Sequence, residues 1–221
     1  METNKLLDEL LTYQLAIFDL DGVIVDTARY HFLAWKELAD SMGFRFDEED
    51  NERLKGVSRM RSLDIILEIN NAQLDDNKRA QLADKKNRRY IELVKGIQPH
   101  EVLPGAKELL EFLRGRGVKT AIGSASKNAG MVLQGLDIMR LFDEVIDGNS
   151  TQKTKPDPEV FTLSADRLGV PYSRCIVFED AQAGIDAALA AGMTAVAIGR
   201  PDNLKNGKYC ISGLDVFEIY P

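Results

Sequence analysis

The stretch AIFDLDGVIVDT, Ala16 to Thr27, runs three apolar residues into Asp19, passes Leu20, places Asp21 and turns at Gly22 before a second apolar run. A short apolar run closed by a glycine turn reads as a buried strand, QLAIFD (14–19). Burying a carboxylate at the end of such a strand is costly, and a second one two residues on adds to the cost. One Asp there would serve as a turn or helix cap. Side chains alternate along an extended strand, so Asp19 and Asp21 can share a face, and two close carboxylates repel unless a cation or proton intervenes. Gly22 lets the backbone turn sharply after them.

Four further strand-like runs follow: VKTAIGS (118–124), FDEVID (142–147, the weakest), CIVFE (175–179) and TAVAI (194–198). Helical patterns fill the gaps between them, including AKELLEFLRGRG and PEVFTLSADRLG. The second has Asp157 at the expected N-cap, Pro158 at the first helical position and Gly169 beyond the end. Alternating strands and helices predict an α/β fold, a doubly wound parallel sheet with helices on both faces. Ligands of such sheets bind outside the carboxyl ends of the strands, where Asp19, Ser124, Glu179 and Asp180 fall. The alternation fails from Ala28 to about Gly96, which reads as helical throughout. The expected organisation is therefore a core of residues 14–27 and 97–221, an inserted α-helical cap of residues 28–96, and an N-terminal extension of residues 1–13 read as a short amphipathic helix or a frayed segment.

Composition narrows the function. The 221 residues carry a net charge of −7, which argues against a broad nucleic-acid surface but not against a local anion pocket. No apolar run is long enough to span a bilayer, so no membrane partner is expected. The acidic, interrupted N-terminus lacks the pattern of a secretory signal, and two cysteines without metal-type spacing suit a reducing compartment; the expected location is the cytoplasm. Of the two, Cys175 sits in an apolar run and is read as a buried thiol.

Two acidic pairs, Asp19 with Asp21 and Glu179 with Asp180, supply oxygen ligands in a chain with only two histidines, a donor set that suits Mg²⁺ rather than zinc. In GSASKN, Ser124 ends a strand, and Ser126, Lys127 and Asn128 lead into a helix, offering hydroxyls and amides to an anion. In KTKPDP, Pro156 keeps Lys155 out of helical conformation, leaving it free to enter a cleft.

Taken in order, DLDGVIVDT, GSAS, KPDP and FEDAQAG resemble the four motifs of the haloacid dehalogenase superfamily of phosphotransferases. The resemblance covers nearly all of the chain after about residue 14. It implies Asp19 as a nucleophile that forms an aspartyl-phosphate and Asp21 as general acid and base. It implies Ser124 and Lys155, beside Ala125, on the transferring phosphoryl group. The implied Mg²⁺ is held by Asp19, Asp180 and the main-chain carbonyl of Asp21, with Glu179 in or near its shell.

The same core serves phosphatases and mutases, so the inserted segment carries the distinction. In ARYHFLAWKELADSMG, His31, Trp35, Leu38, Ala39 and Met42 fall on one helical face. Lys86 lies between Leu82 and Tyr90 at four-residue steps, a cation on an apolar stripe that must reach water or a partner. LKGVSR places Arg59 at the start of a helix, where a guanidinium can grip a phosphate. These strings are similar to those of the capped superfamily members that interconvert β-D-glucose 1-phosphate and glucose 6-phosphate through β-glucose 1,6-bisphosphate. The similarity implies that His31, with Lys86 nearby, positions Asp21, and that Arg59 with Ser126, Lys127 and Asn128 holds the non-transferring phosphate. It also implies Thr27 at the hinge, and Trp35, Lys55, Gly56, Val57 and Ser58 close to the sugar. The alternatives are a phosphatase of a small sugar phosphate, a mutase of a related phosphosugar, or a silent module that senses a phosphosugar; the last would be favoured by loss of Asp19 or Asp180, and both are present. A small phosphosugar is the expected partner and a monomer the expected state.

Overall fold

The computed structural model describes residues 2–54, 57–200, 202 and 204–219, with side chains from Leu6 onwards. Its centre is a six-stranded sheet whose paired strands are all parallel. The strands are β1 (Leu15–Phe18), β2 (Lys119–Gly123), β3 (Glu144–Ile146), β4 (Cys175–Glu179), β5 (Thr194–Ile198) and β6 (Tyr209–Ile211), in the order β3-β2-β1-β4-β5-β6. The five expected strands are all present. The edge strand β6 is an addition: it is three residues long, pairs with β5 alone and has no fully buried residue, so it carries none of the apolar pattern of the others.

Alternation along the strands separates two cores. Ala16, Phe18, Ile122, Ile176, Phe178 and Val196 enter one, where the rings of Phe18 and Phe178 stack with centroids 4.6 Å apart. Leu15, Ile17, Ala121, Cys175, Val177 and Ala195 enter the other. The first is covered by α1 (Glu2–Leu10), α6 (Ala106–Gly115) and α7 (Ala129–Gly135), the second by α8 (Glu159–Leu168) and α9 (Gln182–Ala190). Cys175 is buried as expected, and burial pushes its thiol up to about 11. The N-terminal segment is the amphipathic helix α1, and its Leu6 and Leu10 are part of the first core.

The α8 boundary differs by one residue from expectation. Pro158 occupies the N-cap, and Asp157 still accepts a bond from the Glu159 amide at 3.0 Å. Gly169 ends the helix with φ 65°, a left-handed conformation that glycine adopts without a Cβ clash.

Between β1 and β2 lie α2 (Ala28–Ser41), α3 (Glu48–Glu52), α4 (Arg59–Ile69) and α5 (Asp76–Val94), with no strand among the described residues. Side chains start them: Ser58 accepts from the Arg61 amide and Asp75 from the Lys78 amide. Their apolar faces form a separate cluster around Trp35, Leu38, Leu63, Ile66 and Leu82. No helix is long and apolar enough to cross a membrane among the described residues.

Candidate active site

β1 is the strand at which the order reverses, with β2 on one side and β4 on the other, and a crevice opens at the carboxyl ends of all three. The helices inserted after β1 roof this crevice and enclose a cavity of about 440 Å³. Asp19, Asp21, Ser124, Lys155 and Asp180 line it from the sheet, and His31, Trp35, Arg59 and Lys86 from the inserted helices.

β1 ends at Phe18, so strand alternation does not itself place Asp19 and Asp21 together; a turn at Gly22, held by a Gly22 amide to Val25 carbonyl bond of 2.8 Å, brings both to the cavity. Gly22 has φ 82°, and a Cβ there would lie 2.1 Å from Asp180 Oδ2. Glycine is therefore required both by the turn and by the approach of the second acidic pair.

Lys155 enters through the loop before α8 and is buried. Its Nζ donates to Asp19 Oδ1 at 2.6 Å and to Glu179 Oε2 at 2.7 Å. Burial alone would lower the Lys155 pKa, but the two carboxylates outweigh it and hold the ammonium charged. Glu179 lies behind this lysine and outside the cavity wall; its Oε1 accepts from the Ala181 amide, and Gly184 leaves the room its side chain fills. Asp19, Glu179 and Asp180 offer oxygens within 4.8 Å of one another, an all-oxygen donor set that fits a hard divalent cation. Asp21 keeps Oδ1 buried without a hydrogen-bond partner among the described residues, and burial beside Asp19 and Asp180 pushes its pKa up to about 8.

Ser124 is buried at the end of β2 and accepts from the Ser126 amide, and Ser126 accepts in turn from the Asn128 amide. Ser124, Ala125, Ser126, Lys127 and Asn128 all line the cavity, Lys127 with its side chain exposed. Gly148 allows this loop to pack closely, since a Cβ there would meet the Ala125 carbonyl at 2.4 Å.

From above, Val57 and Ser58 line the cavity and Arg59 opens α4. Arg59 Nη1 lies 4.0 Å from Asp84 Oδ1, and burial lowers the guanidinium pKa. Lys86 Nζ lies 2.7 Å from His31 Nδ1. Burial first, then the charges of Lys86 and Arg59, keep His31 neutral; burial and Arg59 push Lys86 down to about 7. Thr27 is buried at the N-cap of α2 and makes no cap bond, outside the cavity wall. Lys55 and Gly56 lie outside the described residues.

Asn87 and Asp84 are among the cavity residues that carried no individual signal in the sequence. Asn87 accepts from Asn128 Nδ2 at 2.9 Å, tying α5 to the loop after β2, and Asp84 faces Arg59. Both follow from helical spacing around Lys86 only once α5 is known to pack over the sheet.

A model of the haloacid dehalogenase-like hydrolases matches residues 13–192. A β-phosphoglucomutase of Bacillus subtilis is 43% identical over 186 residues, 83% of this chain and 82% of the relative. A phosphorylated carbohydrates phosphatase of Thermotoga maritima is 32% identical, with 94% of each chain covered. The crystal structure of a β-phosphoglucomutase from Clostridium difficile superposes with a TM-score of 0.89 at 41% identity, covering 92% of each chain. Motifs, sheet order and crevice agree with this match, and the chain belongs to the haloacid dehalogenase-like hydrolase family.

Proposed function

We propose that the chain is a β-phosphoglucomutase, interconverting β-D-glucose 1-phosphate and glucose 6-phosphate through β-glucose 1,6-bisphosphate. The observation that carries this reading is that one cavity contains both a transfer centre, Asp19 with Lys155, and a separate set of anion donors, Arg59 with Ser126, Lys127 and Asn128. A phosphatase needs the first only. A mutase needs both, because its bisphosphate must bind in two orientations.

In the forward cycle, the sugar's C6 hydroxyl oxygen attacks the phosphoryl group on Asp19; the new oxygen–phosphorus bond forms as the Asp19–phosphorus bond breaks, freeing the carboxylate, and the hydroxyl proton passes to Asp21. The bisphosphate then turns over in the cavity. Asp19 attacks the phosphate at C1; the new Asp19–phosphorus bond forms as the bond to the sugar oxygen breaks, and Asp21 returns its proton to that oxygen. Lys155 and Ser124 hold the equatorial oxygens during transfer. Mg²⁺ when bound supplies charge neutralisation there, and Asp19, Asp180 and the main-chain carbonyl of Asp21 would hold it, with Glu179 alongside. His31 and Lys86 position Asp21, Trp35, Val57 and Ser58 contact the sugar, and Thr27 lies at the hinge of a helical cap formed by residues 28–96. Cap closure excludes water and protects the aspartyl-phosphate. We read the chain as a monomer, and its free thiols suit the cytoplasm.

The test mixes the purified chain with Mg²⁺, β-glucose 1-phosphate and a trace of the bisphosphate. Glucose 6-phosphate without matching release of inorganic phosphate is expected. Free phosphate and glucose as the main products would favour the phosphatase reading, which the Thermotoga relative supports.

A further inference from the structure

Four buried side-chain atoms lack a hydrogen-bond partner among the described residues: Asp21 Oδ1, Thr27 Oγ1, His31 Nε2 and the Tyr90 hydroxyl. Tyr90 is fully buried in α5, one helical turn from Lys86. Its ring lies against the His31 imidazole, centroids 4.1 Å apart at 31°. The Lys86 ammonium sits over two ring faces at once, 4.8 Å from the centroid of Trp35 and 4.9 Å from that of Tyr90. Two helices, α2 and α5, thus converge on a single cation and a single imidazole at the cavity wall.

The chemistry of this arrangement fixes a proton. A neutral imidazole carries its hydrogen on either nitrogen, and the partner of one nitrogen selects the tautomer. A charged ammonium can only donate, so it makes Nδ1 the acceptor and leaves the hydrogen on Nε2. A neutral amine could accept, which would reverse the assignment. Burial and Arg59 both push Lys86 towards the neutral amine. Two aromatic faces oppose that push, because a desolvated cation over a ring gains electrostatic stabilisation.

We propose that Trp35 and Tyr90 form an aromatic box that keeps Lys86 charged and pointed at His31 Nδ1, so that His31 presents an Nε2–H donor in the cavity wall. Tyr90 is then a positioning residue: it acts on the reaction through Lys86 and His31. This rests on the mutase reading for its catalytic consequence only; the tautomer is a property of the free chain.

The experiment is proton–nitrogen correlation of the imidazole rings in the ¹⁵N-labelled chain without substrate. There are two histidines, His31 and the exposed His100, and His31→Gln assigns the spectrum. His31 should show a protonated Nε2 and an unprotonated Nδ1 at pH 6, where Lys86, pushed down to about 7, is charged and His31 is still neutral. Tyr90→Phe, which keeps the ring, should preserve that pattern. Tyr90→Leu and Trp35→Leu should give a mixture of tautomers, and Tyr90→Leu should lower kcat by about 10- to 100-fold with KM little changed, the loss expected of a mispositioned acid–base group. A wild-type His31 protonated on Nδ1, or averaged between the two nitrogens, overturns the proposal. So does an unchanged pattern in a folded leucine variant. Should both leucine variants fail to fold, the wild-type and Tyr90→Phe spectra decide. A wild-type chain with the expected tautomer but no mutase activity would count against the mutase reading and leave the box standing.

Discussion

Lys155 and Asp19 form a buried ion pair, with Nζ 2.6 Å from Oδ1, at the point where the strand order of the sheet reverses. One ammonium there offsets two carboxylates, since Glu179 Oε2 is 2.7 Å from the same nitrogen. Lys155→Met should therefore cost about 3–5 kcal/mol of stability, the loss when one partner of a buried charge pair is removed. Chemical denaturation checks the stability, and the same preparation should transfer no phosphoryl group. A fully active variant would remove Lys155 from the transfer centre.

Asp19 is the carboxylate that Lys155 orients, and it is the expected site of the covalent phosphoryl group. Labelling with a phosphoryl donor, followed by peptide mapping, should find the label on Asp19, and Asp19→Ala should lose it. Label on Asp21 would exchange the two roles.

Gly22→Ala tests the acidic cluster without touching a carboxylate. The added Cβ would meet Asp180 Oδ2 at 2.1 Å, on a backbone with φ 82° that L side chains rarely adopt. Both effects displace Asp180, so the Mg²⁺ concentration for half-maximal activity should rise by at least about ten-fold, a change of about 1.4 kcal/mol. An unchanged metal titration would mean that Asp180 is not a ligand.

Arg59→Ala tests for a second phosphate site in the cavity. The half-buried guanidinium should contribute about 2–5 kcal/mol to phosphosugar binding. Acetyl phosphate has no distal phosphate, so attack on it by Asp19 should be far less affected. Equal losses with both donors would place Arg59 in general stability.

Lys86 also sets a pH dependence. Its pKa is pushed from 10.5 down to about 7 in the folded chain, so between those values the unfolded chain binds the extra proton. Stability from this group therefore rises with pH from about 7 to about 10.5 and is lost on going back down. His31 acts in the same direction at lower pH: its pKa is held well below 6.5, so stability is lost as pH falls below that value. Asp21, raised to about 8, opposes them over the range from 3.8 to 8. The difference between wild type and Lys86→Met isolates the lysine: the variant should gain relative stability at pH 7 and lose that advantage by pH 10, followed by thermal denaturation.

Much of this arrangement was legible in the sequence because the central strands are buried on both faces. β1, β2, β4 and β5 read as apolar runs, and the site residues follow at their carboxyl ends. Lys86 was legible as a cation on an apolar stripe. β6 was not, because an edge strand with an exposed Cys210 has no burial pattern to read. Nor was the Asn87–Asn128 bond, a contact between residues 41 positions apart that depends on where two helices cross the sheet. The placement of Asp21 came from a turn rather than from strand alternation, so the expectation reached the right place by a different geometry.

The helix α1 has a consequence for how the chain is made. Leu6 and Leu10 share a core with Leu214 and Phe217, and Glu9 bonds to Tyr13, Lys208 and Tyr209, with Lys208 199 positions along the chain from Glu9. A ribosome delivers that helix well before the segment that covers it. For the intervening time its apolar face is open to other chains, and chaperones that shield nascent hydrophobic surface have a defined place to act.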